Sequence, residues 1–96
     1  MFSFHPKKKF GQNFLKNKDL LKKISELRNF DNKLVLEIGP GKGALTEYLL
    51  KKKPKKLIAI EKDKELEPFL LKIQKKYSVN FEIIFQDALK YEYSKI

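Results

Sequence analysis

The stretch Val35-Leu36-Glu37-Ile38-Gly39-Pro40-Gly41-Lys42-Gly43-Ala44-Leu45-Thr46 constrains the fold of this chain more than any other segment. An apolar run consistent with a buried strand passes an acidic residue, enters three glycines at alternate positions and leaves into residues of helical apolar spacing. Glycines so placed let the backbone turn sharply and come within contact distance of a ligand, which a β-carbon would prevent. The segment reads as strand, loop and helix, the shape of a nucleotide-cofactor pocket.

The rest of the chain repeats the alternation. Met1 to Asn17 mixes Lys7-Lys8-Lys9 with Phe2, Phe4, Phe10 and Phe14 and is expected to be an irregular arm. A helix capped by Asn17 or Asp19 should follow, with Leu20, Leu21, Ile24 and Leu27 on one face. Leu34 to Ile38 is the first buried strand, and Ala44, Leu45, Tyr48 and Leu49 mark a helix that ends before Pro54. Leu57 to Ile60 forms a second strand closing on Glu61. Asp63 to Lys76 alternates apolar Leu66, Phe69, Leu70 and Ile73 with charge and reads as a helix with Pro68 in its first turns, and Phe81 to Phe85 forms a third strand. Strands alternating with helices predict an α/β fold with a parallel sheet and right-handed crossovers, the first half of a doubly wound, Rossmann-like domain. Residues 1–17 are then an arm and 18–96 a partial cofactor-binding domain.

In such a sheet the ligand sits at the carboxyl ends of the strands, and an acid stands at or just past each end: Glu37, Glu61 and Asp87. The nicotinamide and flavin fingerprint requires Gly-x-Gly-x-x-Gly, whereas here the third glycine, Gly43, comes one place early. Glu37 before the loop is a poor neighbour for a pyrophosphate and a reasonable one for a cationic amino group. S-adenosylmethionine carries that group and no phosphate. Glu61 can accept from both ribose hydroxyls, and Asp87 is placed to accept from the exocyclic amine of adenine. Either acid could instead merely cap the helix that follows it.

Composition narrows the partners. The chain has 96 residues, 35% of them charged, and a formal charge of +10 carried almost wholly by lysine, since Arg28 is the only arginine. Such an excess attracts polyanions by counterion release, which makes nucleic acid the leading partner and an acidic membrane surface the second, against a lysine-rich genome or general solubility. Cysteine is absent, which excludes disulfides and thiolate metal sites. No apolar run approaches a membrane span or a signal-peptide core, so a cytoplasmic protein with no membrane and no metal partner is the default expectation. His5 has no visible partner and is assigned no role.

Phe10-Gly11-Gln12-Asn13-Phe14-Leu15, followed by Glu37-Ile38-Gly39-Pro40-Gly41 and Ala44-Leu45-Thr46, resembles the rRNA adenine N6-dimethyltransferase family, from Phe10 to Ala88. Gly-Pro-Gly with Ala-Leu-Thr is more similar to the small-subunit rRNA enzymes than to the macrolide-resistance methylases of large-subunit rRNA. The resemblance implies a class I S-adenosyl-L-methionine-dependent methyltransferase fold. It also implies cofactor contacts from Asn13 and Leu15 in the arm, Gly39 and Gly41 under the methionine part, Glu61 at the ribose and Asp87 at the adenine. Lys7, Lys8 and Lys9 would then lie where RNA enters, each able to hold a phosphate without reading sequence, or else form a solvated end. Lys51 to Lys56 reads instead as cations at a helix end.

The implied reaction transfers a methyl group twice to the exocyclic amine of an adenosine in small-subunit rRNA. In the family an Asn-Leu/Ile-Pro-Tyr segment after the fourth strand holds that amine, and no such segment occurs in these 96 residues, so no catalytic residue is assigned. The expectation is the amino-terminal part of such an enzyme, truncated before the fourth strand and inactive alone. Its Leu34 to Ile38 strand should form an exposed apolar edge, with marginal stability and a tendency to associate. A methyltransferase for another substrate, and a non-catalytic basic RNA-binding or ribosome-assembly module with a vestigial cofactor fold, are the alternatives.

Overall fold

A computed structural model of the chain describes residues 2–4, 17–27, 29–77 and 80–96. Four strands form one parallel sheet in the order β1 (Phe2–Phe4), β2 (Leu34–Ile38), β3 (Lys56–Glu61), β4 (Phe81–Phe85). Helices α1 (Lys18–Ser25), α2 (Ala44–Lys51) and α3 (Glu67–Lys76) complete the frame. β2 pairs with β3 from Leu34↔Lys56 to Ile38↔Ile60, and β3 with β4 from Leu57↔Phe81 to Glu61↔Phe85. In-register parallel pairing brings the carboxyl ends of β2, β3 and β4 to one edge of the sheet, so that Glu37, Glu61 and Asp87 stand at or just past the same edge.

The alternation of side chains along the strands divides the core in two. Val35, Leu57, Ala59 and Phe81 face the helical layer and pack with Leu21, Phe30, Leu45, Leu49, Leu50, Leu70 and Ile73. A fully buried leucine in such a layer contributes about 2 kcal/mol relative to exposure. Leu36, Ile58 and Ile60 point the other way, where Leu34, Ile38, Ile84, Ala88, Tyr91 and Ile96 cover them. Residues on both faces of β3 are therefore buried, which accounts for its near-continuous apolar sequence.

Three expectations are corrected. The Leu34 to Ile38 strand is not an open edge, because β1 pairs with it in parallel, Phe2↔Val35 to Phe4↔Glu37. The arm over 1–17 therefore contributes a strand to the sheet, and the slot beside β2 is filled from the amino terminus. Leu27 is not on the buried face of α1: the helix ends at Ser25, and Leu27 is 72% exposed. The Asp63 to Lys76 segment is not one helix. A 3-10 turn over Lys64–Leu66, capped by Asp63 Oδ1 accepting from the Glu65 amide, precedes α3, and Pro68 stands in the first turn of α3, where its missing N–H removes no helical bond. The tighter turn puts Leu66 out of phase with α3, in which Leu70 and Ile73 are buried while Phe69, at the edge of the stripe, is 45% exposed. The expected cap of α1 is borne out, Asn17 being the one of the two candidates used: its Oδ1 accepts from the Leu20 amide.

Candidate functional site

The glycine loop leaves β2 with the ladder still intact, as the Gly39 amide donates to the Ile60 carbonyl at 2.9 Å. The chain then reverses through Pro40 to Gly43, closed by the Gly43 amide donating to the Pro40 carbonyl at 2.9 Å. Gly39, Gly41 and Gly43 have φ of +71°, +60° and +91°, a region that side chains other than glycine's rarely occupy. Two of these positions differ in what surrounds them. A β-carbon built at Gly39 meets nothing within 4 Å, so the space above it is open to a ligand. One built at Gly43 would overlap the Ile73 Cδ1 methyl of α3, so this glycine exists for helix packing.

Glu61, at the end of β3, joins the loop to its own turn. Oε1 accepts from the Gly41 amide at 3.0 Å and Oε2 from the Asp63 amide at 2.9 Å, and the residue is only 7% exposed. The capping alternative is thus realised in part, yet each carboxylate oxygen keeps a further lone pair, enough for a bidentate approach by two hydroxyls. Asp87 lies just beyond β4. Its Oδ1 accepts from the Leu89 amide at 2.9 Å, and its Oδ2 stands 4.0 Å from Lys62 Nζ, a cation at the solvent-exposed limit of ion pairing.

Glu37 is buried behind the loop, 2% exposed, with Thr46 Oγ1 of α2 donating to its Oε1 at 2.6 Å. Burial pushes its carboxyl from 4.5 up to about 7, with the neighbouring Glu61 charge adding to the rise and the Thr46 bond opposing it. At neutral pH this acid sits close to its midpoint, able to gain full charge when a cation comes near.

The structure therefore brings Gly39, Gly41, Glu61 and Asp87 to the same sheet edge with Glu37 beneath them. Asn13, Leu15, Lys7, Lys8 and Lys9 lie outside the described residues. The Thr46 bond to Glu37 is not legible from sequence, because it links a strand to a helix nine residues on, and a threonine early in a helix carries no such signal. The sequence marked Gly43 only as a glycine one place early for the dinucleotide fingerprint, and its packing against Ile73 was not legible. Among the described residues no cluster of His, Cys, Asp and Glu could hold a metal ion, and no helix is long and apolar enough to cross a membrane.

The family model for ribosomal RNA adenine dimethylase matches residues 3–96. Among curated proteins, the ribosomal RNA small subunit methyltransferase A of Pelagibacter ubique is 48% identical over 90 residues, covering 94% of this chain and 33% of its own length. The protein of the same name from Mycoplasma mobile is 52% identical over 86 residues, covering 90% of this chain and 33% of its own. A crystal structure from Pyrococcus horikoshii that carries the name of an RNA methyltransferase superposes with a TM-score of 0.65 at 26% identity, covering 77% of this chain and 36% of that one. The chain spans about a third of the length of the curated relatives it matches. With the match running through the glycine loop and all three acidic strand ends, the chain belongs to the ribosomal RNA adenine dimethylase family.

Proposed function

We propose that this chain forms the cofactor-binding part of an S-adenosyl-L-methionine-dependent adenine N6,N6-dimethyltransferase acting on small-subunit rRNA in the cytoplasm. The observation that carries the reading is the pairing of an open cradle at Gly39 with Glu61, a strand-end carboxylate that already grips the Gly41 amide. When bound, the cofactor supplies an electrophilic methyl group on a sulfonium.

The chain's own residues bind and orient. Gly39 and Gly41 keep the loop low enough for close approach. Glu61 accepts from the ribose hydroxyls while its loop bond fixes the carboxylate plane, and Asp87 accepts from the adenine amine through Oδ2. Glu37 lies within the field of the cationic end and gains charge as the ligand enters. Asn13 and Leu15 complete the site from the arm, and Lys7, Lys8 and Lys9 meet phosphates at its mouth. The adenosine amine is a weak nucleophile that has to be turned out of its stack and held in line with the methyl group. No Asn-Leu/Ile-Pro-Tyr segment for that task occurs in these 96 residues.

Calorimetric titration with S-adenosylmethionine tests the reading. The chain is expected to bind, and Glu61→Ala and the milder Glu61→Gln to weaken binding at least tenfold. A parent chain that folds but releases no heat on titration would overturn it.

A further inference from the structure

The cleft between α2 and α3 is lined by none of the residues assigned above to the cofactor. It encloses about 340 Å³ and is lined by Lys42, Glu47, Phe69, Lys72, Ile73 and Lys76. Three features give it a chemical character. Phe69, at the edge of the α3 apolar stripe, leaves 45% of its surface exposed. Lys42 Nζ lies 5.0 Å from the centre of that ring. Glu47, the one acid of the lining, is already committed, since its Oε2 accepts from Lys76 Nζ at 3.1 Å and from the Tyr77 hydroxyl at 2.9 Å. Burial works to raise the Glu47 carboxyl, but these two bonds and the charges of Lys76 and Lys51 outweigh it and hold it below its ordinary value. Among the described residues no ion pair engages Lys42 or Lys72.

We propose that this cleft takes a single-stranded RNA segment, with a base stacked on the exposed Phe69 ring and adjoining phosphates held by Lys42 and Lys72. The proposal rests on the RNA substrate assigned above and adds a docking surface outside the cofactor site. A cationic groove interleaved with an aromatic platform is how single strands are held without reading sequence. Lysine acts on phosphate as a point charge, and a chain of charge +10 supplies the long-range attraction. Stacking on a ring face needs an unpaired base, which a single strand offers and a duplex withholds. An acidic peptide would use the lysines and leave the ring face idle. Lys42 directly follows Gly41, so a strand seated here runs beside the cofactor loop.

Fluorescence anisotropy with a labelled 12-nucleotide single-stranded RNA, measured across a salt series, separates the two contributions. Phe69→Leu is expected to weaken binding about tenfold with the salt slope unchanged, and Phe69→Tyr, which restores a ring, to bind like the parent. Lys42→Gln with Lys72→Gln should lower the slope of log K against log salt by about 1.4, whereas the equally charge-reducing pair Lys55→Gln with Lys90→Gln leaves it near the parent value. Equal slopes for both pairs, Phe69→Leu binding like the parent, a duplex competing as well as the single strand, or displacement by polyglutamate with no Phe69 dependence would each overturn the proposal. S-adenosylmethionine titration of Phe69→Leu and Lys72→Gln is expected to match the parent. A parent that binds RNA through this cleft but no cofactor would sink the methyltransferase reading and leave the docking surface standing.

Discussion

Glu37→Gln removes the one strongly displaced acid of the site while keeping its shape and its ability to accept from Thr46 Oγ1. In the unfolded chain Glu37 releases its proton near 4.5, and in the folded chain it keeps it up to about 7. Between those values the unfolded state binds fewer protons, so stability falls as pH rises and the loss is complete once pH passes about 7. At about 1.4 kcal/mol per pH unit the separation amounts to about 3 kcal/mol, a large share of the roughly 5 to 15 kcal/mol that holds a domain together. Glutamine stays neutral throughout. Urea unfolding of parent and variant at intervals from pH 4.5 to 8 should therefore show near-equal stability at the acid end and a variant ahead by about 3 kcal/mol at the alkaline end. Titrating groups remote from Glu37 are common to both proteins and cancel in the difference, which leaves Glu37 and the neighbouring Glu61 charge that acts on it. A difference that stays flat to within about 1 kcal/mol across the range would refute the buried, raised carboxyl and with it the charge response ascribed to the cofactor's cationic end.

Gly43→Ala sets a methyl group against Ile73 at a backbone angle that alanine resists, and should lower stability by about 2 to 3 kcal/mol in thermal or urea melts, with an unchanged melting temperature as the contrary result. Thr46→Val keeps the volume but strips Glu37 of its donor; a loss of about 1 to 3 kcal/mol is expected, with a Glu37 carboxyl that titrates still higher by carbon-detected NMR, and no change in that titration would count against the bond.

Much of the sheet was readable in the sequence because its signals are local. Leu34–Ile38 and Phe81–Phe85 are apolar runs interrupted once each, at Glu37 and Glu82, and bounded by turn residues, and their limits match the observed strands. The loop was readable because left-handed backbone demands glycine, and the strand-end acids because parallel registration brings carboxyl ends together. What escaped depends on phase or on distance. The 3-10 turn at Lys64–Leu66 puts Leu66 out of phase with α3, and Phe69, at the edge of the α3 stripe, stays 45% exposed. The Glu37–Thr46 and Glu47–Tyr77 bonds join separate elements, and no spacing rule encodes them. The strand at Phe2–Phe4 was hidden for another reason. Three residues beside a lysine run offer neither length nor a clean alternation.

That strand gives the sheet an uneven kinetic profile. β1 is fastened by three residue pairs across a separation of 33 positions, whereas β2–β3 and β3–β4 are each fastened by five pairs across 22 and 24. The longer closure and the fewer bonds both place β1 last to zip and first to unzip, as the lowest-energy opening in the sheet. Edge amides of β2 should then exchange with solvent ahead of those of β3, which are held from both sides. Each such opening exposes for a moment a parallel template five residues long, and any longer strand that finds it, from this chain or another, gains two pairings over the one it displaces.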